Sequence, residues 1–228
     1  MPETAPQFAI LLDGAFVVRK LGASLRKFPT ATDVEAACDR IRAHALLKPL
    51  SLLRIYFYDA PPAVGRVINP LDGSVLDLNT TAPVAKFTKL RDTLELKPDF
   101  ALRLGECVAQ GWHLKPRVQS ELRKSQRHLR PEDFAPKIEQ KGVDLRIGLD
   151  IARLALCRLV RAIVVVTGDS DFVPALKFAR REGLRVYVDT MGHGVRRALK
   201  AHADQLLDVA MPGRPMGEPH ALAQAVAV

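Results

Sequence analysis

I-V-V-V-T-G-D-S-D-F-V-P, residues 163–174, is the stretch that decides the fold. Its first four residues, Ile163–Val166, are branched and apolar, which is typical of a strand buried on both faces of a parallel sheet. A Thr-Gly turn, two carboxylates at Asp169 and Asp171, and apolar residues at helical spacing follow in that order. The stretch therefore predicts a strand, a tight turn and a helix. The two acids fall at the carboxyl end of the strand, where open α/β sheets bind their ligands.

These two acids allow two interpretations. Like charges this close repel each other unless a cation lies between them, which favours a metal site. Alternatively, Asp169 shapes the turn, and Asp171 or Ser170 caps the helix that follows. The stretch alone does not separate a binding site from a turn.

The junction of a buried strand with an acid recurs along the chain. Phe8–Leu12 is followed by Asp13, and Leu52–Tyr58 is followed by Asp59. A turn aspartate would explain Asp13 equally well. Two prolines shortly after Asp59 favour a plain turn there, so Asp59 is only a weak candidate for the site.

Strand patterns alternate with helical patterns along most of the chain, and Leu184–Val188, ending at Asp189, is the next strand after the central stretch. This order predicts a three-layer α/β/α domain with a mainly parallel central sheet over residues 8–209. Residues 211–228 are rich in Pro, Gly and Ala without a pattern, and are predicted to form a disordered tail.

Several connecting segments give weaker signals. Loops are predicted at Gly22–Thr30, at Gly65–Ala82 and between Pro131 and Pro136. Phe100–Gly105 alternates like a strand, and a turn at Gln110-Gly111 predicts that it forms a hairpin with Gly111–Leu114.

The chain is basic, with a net charge of +9 and a pI of about 9.7 over 228 residues. This charge favours a polyanionic partner, nucleic acid first, although a generally basic surface would also explain it. Aromatic residues make up only 6% of the chain, which argues against wide stacking surfaces for bases. The densest basic stretch is Lys115–Arg130, and if it is helical, Arg123, Arg127 and Arg130 share one face. The candidates for contact with a phosphate backbone are Arg117, Arg123, Lys124, Arg127 and Arg130.

Cysteine usage and hydropathy limit the class of protein. The three cysteines, Cys38, Cys107 and Cys157, are far apart and form no C-x-x-C pair, so they predict neither a zinc site nor a disulfide framework. The N-terminal M-P-E-T-A-P-Q lacks the basic region of a signal peptide, and no apolar run approaches the roughly 20 residues that span a bilayer. These patterns predict a soluble cytoplasmic protein without a membrane partner.

Four acids are predicted to meet. Asp13, Asp144, Asp169 and Asp171 all fall at strand ends or helix starts, and the carboxyl ends of parallel strands lie on one edge of a sheet. Carboxylates gathered there need a cation to remain ionised, and oxygen ligands without His or Cys suit Mg²⁺ or Mn²⁺. Such ions activate water for attack on a phosphodiester. For Asp144, stabilisation by the helix dipole is the alternative explanation.

Three motifs together resemble a known family. F-A-I-L-L-D-G-A, K-G-V-D-x-x-I-x-L-D and V-V-V-T-G-D-S-D-F-V-P are similar to motifs of the NYN domain family, the LabA-like (DUF88) branch of the PIN-like nucleases. The resemblance spans residues 8–209. It implies a PIN-like α/β/α fold, a Mg²⁺ or Mn²⁺ site, ribonuclease activity on RNA, with single strands favoured, and a possible homodimer.

The resemblance also assigns residues. It implies that Asp13, Asp144, Asp169 and Asp171 are the acidic site positions. Asp150 matches a second acid that often follows K-G-V-D and is of uncertain role, while Lys141 would lie near the site and meet phosphate.

One position departs from the family pattern, and two rival functions follow. The first motif of the family usually reads D-G-x-N, whereas Phe16 stands at the Asn position here. A PIN-like scaffold that binds RNA or protein without cutting is therefore the main alternative. A phosphatase of the haloacid dehalogenase type is less compatible, because its motifs need acids where this chain has Ala15 and Val173.

Overall fold

The computed structural model describes residues 5–124, 127–207 and 209, and the predicted tail, 211–228, lies outside them. Strands and helices alternate along the described chain, as predicted. In chain order the strands are β1 (Gln7–Asp13), β2 (Ser51–Asp59), β3 (Arg66–Ile68), β4 (Val75–Asp77), β5 (Phe100–Leu104), β6 (Glu106–Leu114), β7 (Phe134–Lys141), β8 (Ala162–Val166), β9 (Arg185–Asp189) and β10 (Gln205–Leu207).

A six-stranded sheet in the order β5-β2-β1-β8-β9-β10 forms the centre, and all of its strands are parallel. Its central strands are buried on both faces, since Ile10 and Leu11 of β1 and Ile163 and Val164 of β8 are fully inaccessible. This explains why their sequences are continuous apolar runs and do not alternate. The fold class predicted from the sequence is confirmed.

Helices cover both faces of this sheet. One core contains side chains of α1, α2 and α3 packed on Phe8, Ile10 and Leu12 of β1, and the other contains side chains of α5, α6 and α7 packed on Ala9 and Leu11. The alternation of β1 side chains between the two cores follows from the two-residue period of a strand. The α-helices are α1 (Gly14–Leu25), α2 (Ala31–Arg42), α3 (Ala82–Glu95), α4 (Pro116–Leu122), α5 (Val143–Leu156), α6 (Val173–Arg181) and α7 (Arg197–Ala201).

The direction of the chain through the sheet reverses between β1 and β8. From β1 the chain continues to β2 on one side, whereas β8 lies on the other side and leads to β9. A crevice outside the carboxyl ends of the two strands is the expected binding place at such a switch point. Asp13, the last residue of β1, lies at this crevice.

The predicted hairpin of Phe100–Gly105 with Gly111–Leu114 is wrong. β5 joins the central sheet as an edge strand parallel to β2, and β6 pairs in antiparallel fashion with β7. Gly111, with φ of 74°, lies at a break in the β6–β7 register and inside β6, so it is a bulge and not a turn. We refer to residues 105–142, which contain β6, α4 and β7, as the arm.

Two predicted loops are also wrong in part. Residues 131–136 form a 3-10 turn, Pro131–Asp133, and the start of β7. Gly65–Ala82 contains the β3–β4 hairpin. The hairpin contacts the arm through the Asn69 side-chain amide, which donates to the Pro131 carbonyl at 3.1 Å. Helix α1 extends to Leu25 and so includes the first residues of the predicted Gly22–Thr30 loop. None of the described helices combines the length and apolar character that crossing a membrane requires.

Gly14 allows α1 to begin directly at the end of β1. A Cβ at this position would lie 2.5 Å from the Tyr58 carbonyl oxygen and 2.8 Å from the Asp59 Cβ. The backbone of β2 therefore passes where a side chain would be, and only Gly fits without a shift of β2.

We expect Gly14→Ala to lower the free energy of unfolding by about 1–3 kcal/mol, because the added methyl group overpacks the junction of α1 with β2. Gly148→Ala is the matched control, since nothing lies within 4 Å of its added Cβ in the middle of α5. It should raise stability by about 0.5–1 kcal/mol through helix propensity. Urea denaturation of both variants measures the difference, and equal stabilities would contradict this account of Gly14.

Candidate active site at the β1–β8 edge

A buried threonine joins the ends of β1 and β8. The Thr167 hydroxyl donates to Asp13 Oδ2 at 2.9 Å and accepts from the Asp169 backbone N–H at 3.1 Å. Thr167 is completely inaccessible to solvent. The side chain therefore fixes the carboxylate of the first motif relative to the backbone of the last one.

Asp13 and Asp169 also cap the elements that follow them. Asp13 Oδ1 accepts from Phe16 N at 3.1 Å at the start of α1, and Asp169 Oδ1 accepts from Asp171 N at 2.9 Å in the 3-10 turn Ser170–Phe172. The turn-shaping role considered for both residues is thus present. Capping of the following helix by Asp171 or Ser170 is wrong, because α6 begins after Phe172 without a side-chain cap and Asp169 caps the 3-10 turn before it.

Asp144 and Asp171 complete the acidic edge. Asp144 lies in the first turn of α5, and Asp171 is exposed in the turn after β8. The pKa of Asp13 is raised by burial, with further contributions from the charges of Asp144 and Asp169. The pKa of Asp144 is likewise raised by burial and by the charges of Asp169 and Asp171. The structure therefore brings all four predicted acids to one electrostatically coupled edge.

No basic side chain relieves this repulsion within the described part of the chain. Asp13, Asp144, Asp169 and Asp171 form no ion pair there, and no Lys or Arg is among the main causes of the raised pKa of Asp13 or Asp144. Carboxylates of this kind are a suitable donor set for a hard divalent cation. In residues 5–124, 127–207 and 209, however, no three Asp, Glu, His or Cys side chains converge closely enough to hold an ion. The donor chemistry fits Mg²⁺ or Mn²⁺, and closing the set around an ion would fall to Asp144 and Asp171, since hydrogen bonds hold the carboxylates of Asp13 and Asp169 in place.

Phe16 closes the crevice between β1 and β8. Its side chain is 3% exposed, and its ring lies so close to Gly168 that a Cβ there would be 2.6 Å from Phe16 Cε2. The exposed His193 lies beside both, with its ring centroid 6.1 Å from that of Phe16 and its Cδ2 2.9 Å from the same Cβ position. An aromatic ring thus occupies the position where the family pattern has a polar amide.

Asp59 belongs to the same edge but faces the base of the arm. Its Oδ1 accepts from Ala60 N at 2.8 Å and from Gln140 Nε2 at 3.5 Å. Burial raises the pKa of Asp59 to about 6, and the charge of Asp13 adds to the increase. Asp59, only a weak candidate from the sequence, therefore has the clearest pKa shift at this edge and lies near Asp13.

Asp150 has a structural environment. Its Oδ2 accepts from the Tyr58 hydroxyl at 2.9 Å and from Arg103 Nε at 3.1 Å. The bond to Asp150 and burial both raise the pKa of Tyr58. These contacts join α5 to β2 and β5. The Asp150 carboxylate is therefore bonded to Tyr58 and Arg103 and does not belong to the four coupled acids of the edge.

The predicted basic helix face is wrong. α4 ends at Leu122, and Arg127 and Arg130 lie beyond it. Arg127 makes a two-pronged contact with Asp133, at 2.6 and 2.8 Å, and lowers the pKa of that acid to about 2.

Other cations of the arm also have acidic partners. Arg117 pairs with Glu121 at 2.9 Å, and Arg130 lies 3.9 Å from Glu132. Arg123 and Lys124 form no ion pair with the described residues. Lys141 is exposed at the end of β7, three residues before Asp144. Three of the six cations predicted to meet phosphate are thus paired with acids within the arm, and Arg123, Lys124 and Lys141 form no ion pair with the described residues.

The arm stands beside the acidic edge. Gly105 N donates to the Asp59 carbonyl at 2.8 Å, and the Cys107 thiol contacts the Ala60 carbonyl at 4.0 Å. The arm leaves the sheet after β5 and returns at the start of α5. Its base therefore forms one wall of the candidate site.

Sequence reasoning missed the role of Thr167 and the close approaches at Gly14 and Gly168. In the sequence Thr167 marks only the end of a strand, and its partner Asp13 lies 154 residues earlier. The available signal was the Thr-Gly pair between a buried strand and two acids, since a Gly there indicates close approach of another group.

Comparison with known proteins matches part of the chain to a domain family. The model of the NYN domain matches residues 104–210, which include Asp144, Asp169 and Asp171, while Asp13 and Asp59 precede the match. The resemblance found from the motifs is confirmed, and NYN domains are PIN-like nuclease domains. The extent of the domain back to residue 8 stays a prediction.

Two further proteins are similar. Over 78 residues, or 34% of this chain and 32% of the relative, the chain is 32% identical to an uncharacterized protein of Methanocaldococcus jannaschii. It thus spans about a third of the length of that curated relative. A crystal structure of a protein of unknown function from Vibrio parahaemolyticus is similar with a TM-score of 0.49 and 15% identity, covering 91% of this chain and 95% of that one.

The raised pKa of Asp59 predicts a pH-dependent stability in metal-free buffer. The folded protein holds this proton up to about pH 6, whereas the unfolded chain releases it near the ordinary aspartate pKa of 3.8. Stability contributed by this group therefore falls as the pH rises from about 4 to about 6. Asp59→Asn should stabilise the protein at pH 7.5 by on the order of 1–3 kcal/mol, and by much less at pH 4.

Urea titrations at both pH values measure this difference. The Asn Oδ1 can still accept from Ala60 N, so the local turn is retained. Asp39→Asn on the exposed side of α2 is the control for the loss of one carboxylate at the protein surface. A stability gain for Asp59→Asn that is equal at the two pH values would contradict the assignment.

Proposed function

Because residues 104–210 match the model of the NYN domain family, we propose that the chain is a metal-dependent nuclease that hydrolyses RNA phosphodiester bonds. The observation that carries this proposal is the set of four coupled carboxylates at the switch point of the sheet, where no basic side chain of the described chain balances them. A structural cluster would be expected to include its own counter-ions, as the Arg127–Asp133 pair of the arm does.

The residues proposed to hold Mg²⁺ or Mn²⁺ are Asp13, Asp144 and Asp169, with Asp171 completing the set or positioning a water molecule. When bound, such an ion activates water and stabilises the developing negative charge of a phosphodiester reaction. The proposed products are a 5′-phosphate and a 3′-hydroxyl. Water supplies the oxygen added to phosphorus, the bond from phosphorus to the 3′ oxygen breaks, and that oxygen takes up a proton.

The side chains of the chain itself supply the rigid framework. Thr167 holds Asp13 and the Asp169 backbone at fixed positions, and both are further held by the caps of α1 and the following turn. Fixed donors lose little freedom when the transition state forms, which is the main requirement for electrostatic catalysis. The exposed position of Asp171 leaves it free to contact solvent at the mouth of the site.

We expect Asp169→Asn to reduce cleavage of labelled single-stranded RNA in the presence of Mn²⁺ by at least about 10²-fold, because one charged donor is lost. The amide oxygen can still accept from Asp171 N, so the fold should be retained. EDTA should abolish cleavage by the unmodified protein.

Asp150→Asn is the matched control, since it removes an acid of the same motif that contacts Tyr58 and Arg103. It should lower stability and leave cleavage unchanged at a temperature where the variant is folded. Cleavage by Asp169→Asn at the original rate, with Asp150→Asn inactive, would show that the assigned site is wrong.

Phe16 favours a second candidate function, an RNA- or protein-binding protein that does not cut. The ring fills the crevice beside Gly168, and Asp13 already accepts hydrogen bonds at both oxygens. Retained Mn²⁺ binding and RNA binding without product at saturating metal would establish this function. A homodimer remains a prediction for either function.

A further inference from the structure

A basic groove lies at the opposite end of α6 from the acidic edge. It is formed by the end of α6, the start of β9 and the connection from α7 to β10, and encloses about 590 Å³. Since β9 is parallel to β8, the start of β9 marks the amino edge of the sheet. The charged side chains that line the groove are Lys177, Arg180, Arg181, Arg185, His202 and Asp204.

The positive charge of this groove is largely uncompensated. Asp204 is its only lining carboxylate among the described residues, and its Oδ1 is shared by Arg180 at 3.2 Å and Arg185 at 3.8 Å. Its Oδ2 accepts from Val186 N at 2.7 Å. Lys177 and Arg181 are exposed, lie one turn apart on α6, and form no ion pair with the described chain.

The neighbouring histidine responds to this charge. Desolvation lowers the pKa of His202, and the charges of Lys177 and Arg180 lower it further. A groove that disfavours an added proton attracts an anion for the same electrostatic reason.

A basic surface connects the groove to the acidic edge. α7 packs against the Ser170–Phe172 turn, and Arg180 donates to the Ala201 carbonyl at 3.4 Å, which joins α6 to α7. Arg196, Arg197 and Lys200 are exposed along α7. The distance along α6 from the acidic edge to the groove is about 14 Å, because this helix has nine residues.

We propose that the groove at the end of α6 binds the phosphate backbone of an RNA strand whose scissile phosphate lies at the acidic edge. This inference rests on the proposed function and adds a second contact to it. The cations of the groove are unpaired or share one acid, whereas in the arm Arg117, Arg127, Arg130 and Lys137 each contact a carboxylate. Lys177 supplies a point charge and Arg181 a planar fork, both suited to phosphate oxygens.

This contact would be independent of base sequence and dependent on strand length. Phosphate contacts position a strand without reading its bases. An RNA must extend from the acidic edge over the length of α6 to reach Lys177 and Arg181, so a trinucleotide held at the acidic edge would gain little from the groove.

The experiment measures RNA binding in EDTA by fluorescence anisotropy as a function of salt concentration. The probe is a labelled single-stranded RNA of about 20 nucleotides, longer than the roughly 4–16 nucleotides that a single fold covers. The test variant is Lys177→Ala/Arg181→Ala. The control, Arg40→Ala/Lys89→Ala, removes the same charge from exposed positions on α2 and α3, which cover the other face of the sheet.

We expect the groove variant to bind this RNA more weakly and with a salt slope smaller by about 1.4, since two contacts to a single strand contribute about 0.7 each. The control variant should bind like the unmodified protein, and trinucleotide binding should be equal for all three proteins. Equal affinity and slope for the groove and control variants would overturn the proposal. An equal loss for the trinucleotide would also overturn it, because the groove would then bind an isolated phosphate group.

Cleavage of the longer RNA in Mn²⁺ separates this inference from the proposed function. If the groove variant shows a raised KM and an unchanged kcat, both stand. If no protein cleaves but the groove variant still loses RNA binding, the groove is retained and the nuclease activity is not.

Discussion

The hydrogen bonds of Thr167 are the constraint on which the candidate site depends. One buried hydroxyl receives the Asp169 N–H and donates to Asp13, and so joins motifs 154 residues apart in the chain. Because it is fully buried, the hydroxyl has no access to water as an alternative partner. The parallel pairing of β1 with β8 brings the two strand ends together, and the threonine then sets how their acids are arranged.

Without a bound cation, this arrangement of acids lowers the stability of the fold. Burial and mutual repulsion raise the pKa of Asp13 and Asp144, and burial raises that of Asp59 to about 6. Each shift shows that the ionised site opposes folding at neutral pH. The fully buried strands β1 and β8, with cores on both faces, supply the stability that permits it. Because Gly14 and Gly168 have no side chain, the β2 backbone and the Phe16 ring lie closer to this edge than a Cβ would allow.

Much of the fold could be predicted because its local signals agree with its tertiary structure. Ile163–Val166 and Phe8–Leu12 are apolar because helices cover both sides of them. The arm could not be predicted in this way. Phe100–Leu104 has no local signal that selects β2 over β6 as its partner. A glycine with a positive φ, such as Gly111, is typical of both a bulge and a turn, so the residue alone does not distinguish them. The acids of the site were recognised from their positions after strands, whereas Thr167 needed a partner from the other end of the chain.

Charge shows the same difference between sequence and structure. Lys115–Arg130 has the densest positive charge along the chain, but Glu121 and Asp133 neutralise much of it because the chain folds back between α4 and β7. The charges at the end of α6 and the start of β9, by contrast, line one groove with a single shared acid among its described lining residues. A polyanion responds to the summed field of the surface and not to the order of residues. The basic surface on the α6–α7 side therefore balances the acidic edge: the edge repels the strand that it is proposed to cut, and the groove supplies attraction at the other end of the same helix.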